Sequence, residues 1–447
     1  MKRAMPSFLS FPFLALLVLS LAACGSDKAT KEGEGASSGK RIAVLEEAHK
    51  QLAGQIPDFV VEVPAPAINA DWAQNGGNAQ HAMGPLALAG STTPSKKWSA
   101  SIGSGSSGDY KLLSTPIVNG KTLYAMDAKG RVSAYDTKDG DRLWRVDTVA
   151  PERDGDAMGG GLAYEDGVVY ATTGFGEVLA LRATDGGVIW RRSLGKPLRS
   201  APTIADKRLF VIDIENETFM LDTKTSLVLW AHKGIAESAT LMGSSSPAVK
   251  GDTVVVAYSS GEVFGLRAQN GRVVWGEVLA VPTKIGALPA IADIRGLPVM
   301  DKGSVYSISH SGRMAAIDER RGDRSWEADV GGVNTPFTSG NVVYVVTNDS
   351  ELLAVSRQDG RIVWVTPLQK LKKPSDRDSK PVSWWGPVLA GNRLWLTNSL
   401  GHLASFAPET GKALQDVDLD DPFFLPPIVA GQTLFVLTDK GELIALR

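Results

Sequence analysis

Three stretches of the 447-residue chain carry residue types that could do chemistry, and in each the spacing or the neighbours decide against it. Gly103-Ser104-Gly105-Ser106-Ser107-Gly108 fits G-x-G-x-x-G, with Asp127 about twenty residues further on, the pattern that holds a dinucleotide pyrophosphate and its ribose. That chemistry needs a helix to open after the glycines so that its first amides meet the phosphates, whereas strand-forming residues follow here from Leu112 and from Thr122. Asp416, Asp418 and Asp420 sit at alternate positions of a calcium loop. Asp421 stands where that loop turns on glycine, however, and Pro427 where it closes with a bidentate Glu, so a solvated acidic loop is expected. The histidines, His49, His81, His232, His310 and His402, show no paired ligand spacing, and no nucleophile carries a base motif. Gly159-Gly160-Gly161 reads as a permissive loop. No catalytic site, metal or cofactor is expected.

Cys24, the sole cysteine, does have a chemistry. Lys2 and Arg3 lead into an apolar run from Phe8 to Leu21, a secretory signal, and Leu21-Ala22-Ala23-Cys24 resembles the lipobox at which bacterial lipoproteins are cut and acylated. The alternative is an ordinary signal with an incidental cysteine. The resemblance implies that residues 1–23 are removed and Cys24 acylated; Gly25 and Ser26 stand where an inner-membrane protein tends to carry Asp, which implies the periplasmic leaflet of the outer membrane. A lone acylated thiol leaves no internal disulfide and no cysteine metal cluster. Ser26 to Lys40 is too poor in apolar residues to offset its ordering entropy and reads as a tether, Arg41 to Ala53 as a short helix, and residues 24–70 together as the connection to the folded body. A net charge of −2 gives no basic excess for a nucleic-acid partner.

The body that follows is built from a repeat. Trp98, Trp144, Trp190, Trp230, Trp275, Trp326 and Trp364 stand in equivalent contexts at spacings of 46, 46, 40, 45, 51 and 38, and an eighth copy places Leu414 where Trp is expected. In the unit from Ser246, Val254-Val255-Val256 and Val263-Phe264 favour strand, while Lys250-Gly251-Asp252, Ser260-Gly261 and Asn270-Gly271 supply the positive-φ residues of tight hairpins. Four short strands per period near 45 residues are a propeller blade. The last unit stops at Arg447 after three strands, and the segment around Trp98 has no three strands before it. Pairing the two closes the ring and removes two free edges. The fold expected over residues 71–447 is therefore all-β, an eight-bladed β-propeller of four-stranded antiparallel blades closed by an N-terminal strand. Inner strands begin near Thr115, Gly161, Ala201, Ser246, Leu297, Thr335, Gly386 and Pro426. The seven tryptophans are assigned to the core of the blade junctions, and Trp384-Trp385 to core as well.

The unit is similar to the repeats of quinoprotein dehydrogenase propellers and, with the lipobox, resembles the BamB family of outer-membrane lipoproteins from about residue 70 to the end. The second resemblance implies a non-catalytic scaffold of the barrel-assembly machinery that binds the periplasmic POTRA domains of BamA. It also implies contact with other assembly subunits and with unfolded outer-membrane proteins. The alternative is a dehydrogenase using pyrroloquinoline quinone (PQQ); such enzymes typically carry a vicinal cysteine pair and a calcium site, and this chain has neither signature. In BamB relatives a Leu-Arg pair before a Ser-Ala-Pro inner strand touches the barrel protein, and Leu198-Arg199 precede Ser200-Ala201-Pro202 here. The acidic pair expected before the next inner strand is absent: Met242-Gly243-Ser244-Ser245 stands there. The resemblance thus points to Leu198, Arg199, Met242 and Ser244 as partner-binding residues, with Leu198 an exposed anchor. The stretch DWAQNGGNAQHAM, from Asp71 to Met83, has no role assignable from sequence.

Overall fold

The computed structural model describes residues 58–90, 94–150, 158–280 and 291–447. Cys24, His49, the tether and the expected helix over 41–53 lie outside them. The described strands form eight four-stranded antiparallel sheets. Blade 1 runs outward through Ile117–Asn119, Thr122–Met126, Arg131–Asp136 and Arg142–Asp147, strands A to D. Blades 2 to 7 repeat it, their A strands starting at Gly160, Thr203, Ala248, Val299, Phe337 and Trp384. Blade 8 holds Ile428–Ala430, Thr433–Leu437 and Glu442–Leu446, and its D strand is Lys96–Ser101 from the other end of the chain. The fold is the expected eight-bladed propeller, and every A strand starts within two residues of its expected position.

Each tryptophan makes one junction by the same device. The Trp230 indole donates to Ala268 O in the C–D turn of the next blade at 2.9 Å, and its ring lies under Gly271 of that turn. A Cβ on Gly271 would fall 2.6 Å from the ring, so the turn glycine is required by contact as well as by its φ of 69°. Trp98, Trp144, Trp190, Trp275, Trp326 and Trp364 donate likewise to Thr137, Ala183, Thr223, Glu319, Arg357 and Pro408. Trp144 and Trp190 are half-buried and the other five buried.

The eighth junction corrects the sequence reading in two ways. Trp326 pairs across the C–D hairpin with Ala316 and Trp364 with Ala354; the residue so placed in blade 7 is Gln415, opposite Ser405, while Leu414 is an exposed neighbour. Blade 7 faces blade 8, whose C and D strands come from opposite ends of the chain. No C–D turn exists there, hence no turn carbonyl for an indole to meet. The tryptophan is missing where its acceptor is missing.

Residues 58–90 form no named strand, yet they close the hub. The A strands are short and turn a row of backbone N–H and C=O groups toward the axis, which burial would leave unpaired. The segment pairs them one blade after another. Asn341 of blade 6 accepts from Glu62 N and donates to Val60 O. Asn69 donates to Val429 O and accepts from Gly431 N in blade 8. Trp72 exchanges two 2.8 Å bonds with Val118 of blade 1, and Ala73 O accepts from Tyr164 N of blade 2. The Gln74 amide grips Ile204 of blade 3 with both atoms, at 2.9 and 3.2 Å. Ala79 and Gln80 carbonyls take Val249 of blade 4 and Met300 of blade 5, and Leu86 pairs with Leu389 and Gly391 of blade 7. Ala67 meets Pro85 and Ala87, so the circuit crosses its own start. Residues 58–70, expected within the 24–70 connection to the folded body, are thus docked on the ring, and the Asp71–Met83 stretch acquires a role.

Candidate interaction face and central cup

Because the hub segment pairs near the A–B ends of the inner strands, the D–A loops form the other side of the hub. Arg199, Met242 and Ser244 all lie on those loops. Arg199 is half-buried and donates to Thr240 Oγ1 at 3.2 Å; Met242 is 49% exposed; Ser244 is half-buried. Leu198 differs from expectation: it is fully buried at 0% exposure, packed between blades 2 and 3 against Ala163, Tyr170, Ile204 and Leu209. Its amide donates to Thr173 O and it bridges to Asp213, so the side chain is held inward and offers no exposed anchor. Asp293, on the loop entering blade 5, is buried and accepts from Leu241 N at 2.7 Å; burial pushes its carboxyl up, against the opposing charges of Arg295, His310 and Arg199. Nothing in its sequence context signals this. Beside Leu198, Lys196 stands within 4.0 Å of Asp213, Glu215 and Glu217, a cluster at the blade 3 B–C turn.

Within the hub lies a cavity of about 120 Å³. Its residues come from the circuit segment (Trp72, Asn75, Gly76, His81) and from the starts of the A strands and their loops, including Arg199, Ser244, Arg295 and Trp385. Arg295 is half-buried with its guanidinium carbon 4.5 Å from the centre of the Trp385 ring, whose other neighbour is Phe424. Gly243 makes room for it: a Cβ there would fall 2.9 Å from Arg295 Nε. Burial lowers the Arg295 pKa to about 10, which leaves it charged at neutral pH. Among the described residues neither Arg199 nor Arg295 has an ion-pair partner. His81, at φ 60°, bonds Pro298 O through Nδ1 at 2.8 Å, and burial lowers its pKa to about 4, so Nδ1 carries the proton and Nε2 is left as an acceptor. Of the Trp384-Trp385 pair, Trp384 donates to Gln369 O, while Trp385 lines the cup; both are half-buried.

The stretches that could have carried chemistry are structural. Asp127 ends a B strand and receives Lys129 N and Arg131 N on Oδ1, and Ser104 N and Arg131 Nε on Oδ2. Asp213 and Asn398 cap the equivalent B–C turns in the same way, so Asp127 is one more turn acid. Gly105 packs where a Cβ would lie 2.4 Å from the Lys440 backbone, and no helix follows it. Asp416 accepts from His402, Asp418 from Asp420 N, and Asp421 pairs with Lys440. Among the described residues no cluster of His, Cys, Asp or Glu could hold a metal ion.

An eight-bladed propeller with a stapled hub and a loop-lined cup defines a class of repeat protein, and sequence separates its members. The sequence profile described as outer membrane protein assembly factor BamB matches residues 86–155 and 128–366. The chain is 33% identical to outer membrane protein assembly factor BamB of Alkalilimnicola ehrlichii, over 78% of this chain and 87% of that one. The crystal structure of BamB from Moraxella catarrhalis superposes with a TM-score of 0.65 at 19% identity, covering 80% of this chain and 98% of that one. Quinohemoprotein alcohol dehydrogenase from Comamonas testosteroni reaches the same TM-score at 13% identity, over 90% of this chain and 83% of that one, a likeness of fold alone. The chain belongs to the BamB family of outer membrane protein assembly factors.

Proposed function

We propose that the protein is a non-catalytic scaffold of the barrel-assembly machinery, held by acyl chains on Cys24 at the periplasmic face of the outer membrane and binding the POTRA domains of BamA through its D–A loops. Family membership supports the assembly role, and the observation that carries the docking face is the joint presentation of Arg199, Met242 and Ser244 on loops of adjacent blades. A rigid ring suits this work because loops fixed on strands keep their spacing when a partner docks. Arg199, with no carboxylate partner among the described residues, is free to pair with an acidic residue of the partner, and exposed Met242 supplies adaptable apolar contact. Leu198 contributes by holding Arg199 in place from the core.

The test is retention of the protein by an immobilised POTRA region of BamA. Wild type is expected to be retained, and Arg199→Glu and Met242→Asp to lose retention while keeping the wild-type thermal midpoint. Leu198→Asp is unsuitable, since a buried charge would unfold the junction. Loss of the proposal follows if wild type is not retained or if both surface variants bind as well as it does. Added PQQ and calcium should produce no dye-linked alcohol oxidation; saturable activity would favour the enzyme.

A further inference from the structure

We propose that the central cup is a binding site for a small carboxylate carried on a compact apolar body, anchored by the Arg295 guanidinium. This goes beyond the scaffold role and does not rest on it. Four polar groups on the cup's own residues converge on the inference. Arg295 presents a planar fork of N–H donors, braced against Trp385 and without an ion pair among the described residues. Trp72 Nε1, Trp385 Nε1 and His81 Nε2 are buried and have no hydrogen-bond partner among the described residues. Trp72 and His81 are each only 5% exposed, so bulk water does not satisfy them. Native interiors rarely leave such atoms unpaired, and three on the lining of one cavity mark a place where something binds.

The chemistry selects the occupant. Arg295, Trp72 Nε1 and Trp385 Nε1 are donors and Arg295 is a cation, so these three select a ligand with acceptors and negative charge; His81 Nε2, an acceptor, takes no part in that selection. A fork of guanidinium N–H groups matches a carboxylate bidentately. Asp293 is the acid whose charge acts on Arg295, but the two form no ion pair and Asp293 accepts from Leu241 N, so the guanidinium fork keeps its own N–H groups for a ligand. Of the other lining residues Leu113, Leu297, Phe337, Val388 and Ile428 are apolar and Asn75, Thr115, Ser200 and Asn334 polar, which suits a ligand that joins an apolar body to hydrogen-bonding oxygens. A volume of about 120 Å³ compares with the roughly 150 Å³ of an apolar cavity that takes benzene, which sets the size of the ligand body.

Benzoate is the probe, with benzamide as its uncharged counterpart and sulfate as an anion without the apolar body. Titration calorimetry on the purified protein should show one benzoate site per chain, and the indole N–H signals of Trp72 and Trp385 should shift with the same saturation. Benzamide and sulfate should bind about tenfold or more weakly than benzoate, as should benzoate to Arg295→Met. Trp385→Phe keeps the apolar wall and removes one donor; it should weaken benzoate several-fold, and it carries the test if Arg295→Met does not fold. The proposal is overturned if benzoate does not saturate, if sulfate or benzamide binds as tightly, or if the folded variants bind like wild type.

Discussion

The rim and the hub of this ring hold the same eight sheets together by opposite means. At the rim one device recurs seven times: a tryptophan reaches across a single junction to a turn carbonyl and to the positive-φ residue of that turn, a glycine in six cases and Ser226 opposite Trp190, and each contact concerns two neighbouring blades. At the hub one unrepeated segment touches all eight blades, by unlike residues at every stop. The rim therefore stores stability as a sum of nearest-neighbour terms, as repeat proteins do. The hub instead makes blades on opposite sides depend on one stretch of chain.

The largest effect expected is at the rim. Trp230→Ala should cost about 3–5 kcal/mol in chemical denaturation, because it empties a buried site and strips Ala268 O of its donor. A loss under about 1 kcal/mol would break the rim half of the comparison. A hub test follows from His81. Its folded pKa is about 4 against 6.5 for the ordinary group, so between those values the unfolded chain takes up a proton that the folded one refuses. The stability that His81 leaves intact above pH 6.5 is thus lost as pH falls to 4 and is constant below, an amount of about 3 kcal/mol. His81→Asn, which tolerates the positive φ, should remove that slope; a wild-type minus variant difference that does not change between pH 7 and pH 4 would show that burial of the imidazole is not the cause. The smallest effect sharpens the account of the eighth junction. Gln415→Trp should change stability by no more than about 1 kcal/mol, since no turn carbonyl awaits the indole, and a gain as large as the loss at Trp230 would refute that explanation.

How much was legible follows the same division. A hairpin turn and a strand alternation are local, so the repeat, the blade count and the closing strand could be read from spacing, and each inner strand fell within two residues of its expected start. Even the eighth junction carried a usable signal: every tryptophan but Trp98, whose strand follows no such turn, stands four residues after its turn residue, and four after Gly411 is Gln415. The Asp71–Met83 stretch carried none, because its bonds go to distant partners, such as His81 to Pro298, 217 positions away, and impose no period. Leu198 was misplaced for a related reason. A leucine beside an arginine in a loop looks exposed until the neighbouring blade is brought over it.

By itself the sequence determined the blade: where it turns, which residues face its neighbours, how many there are, and that the two chain ends must share one sheet. Only the tertiary structure decided what the axis holds, because the hub is where residues from every repeat and from the unrepeated segment first meet. The unpaired Arg295, its Trp385 support, the buried Asp293 and the orphaned ring nitrogens of Trp72 and His81 become a site through that meeting alone. Local pattern fixes backbone conformation, whereas charge and desolvation depend on what closes over a residue.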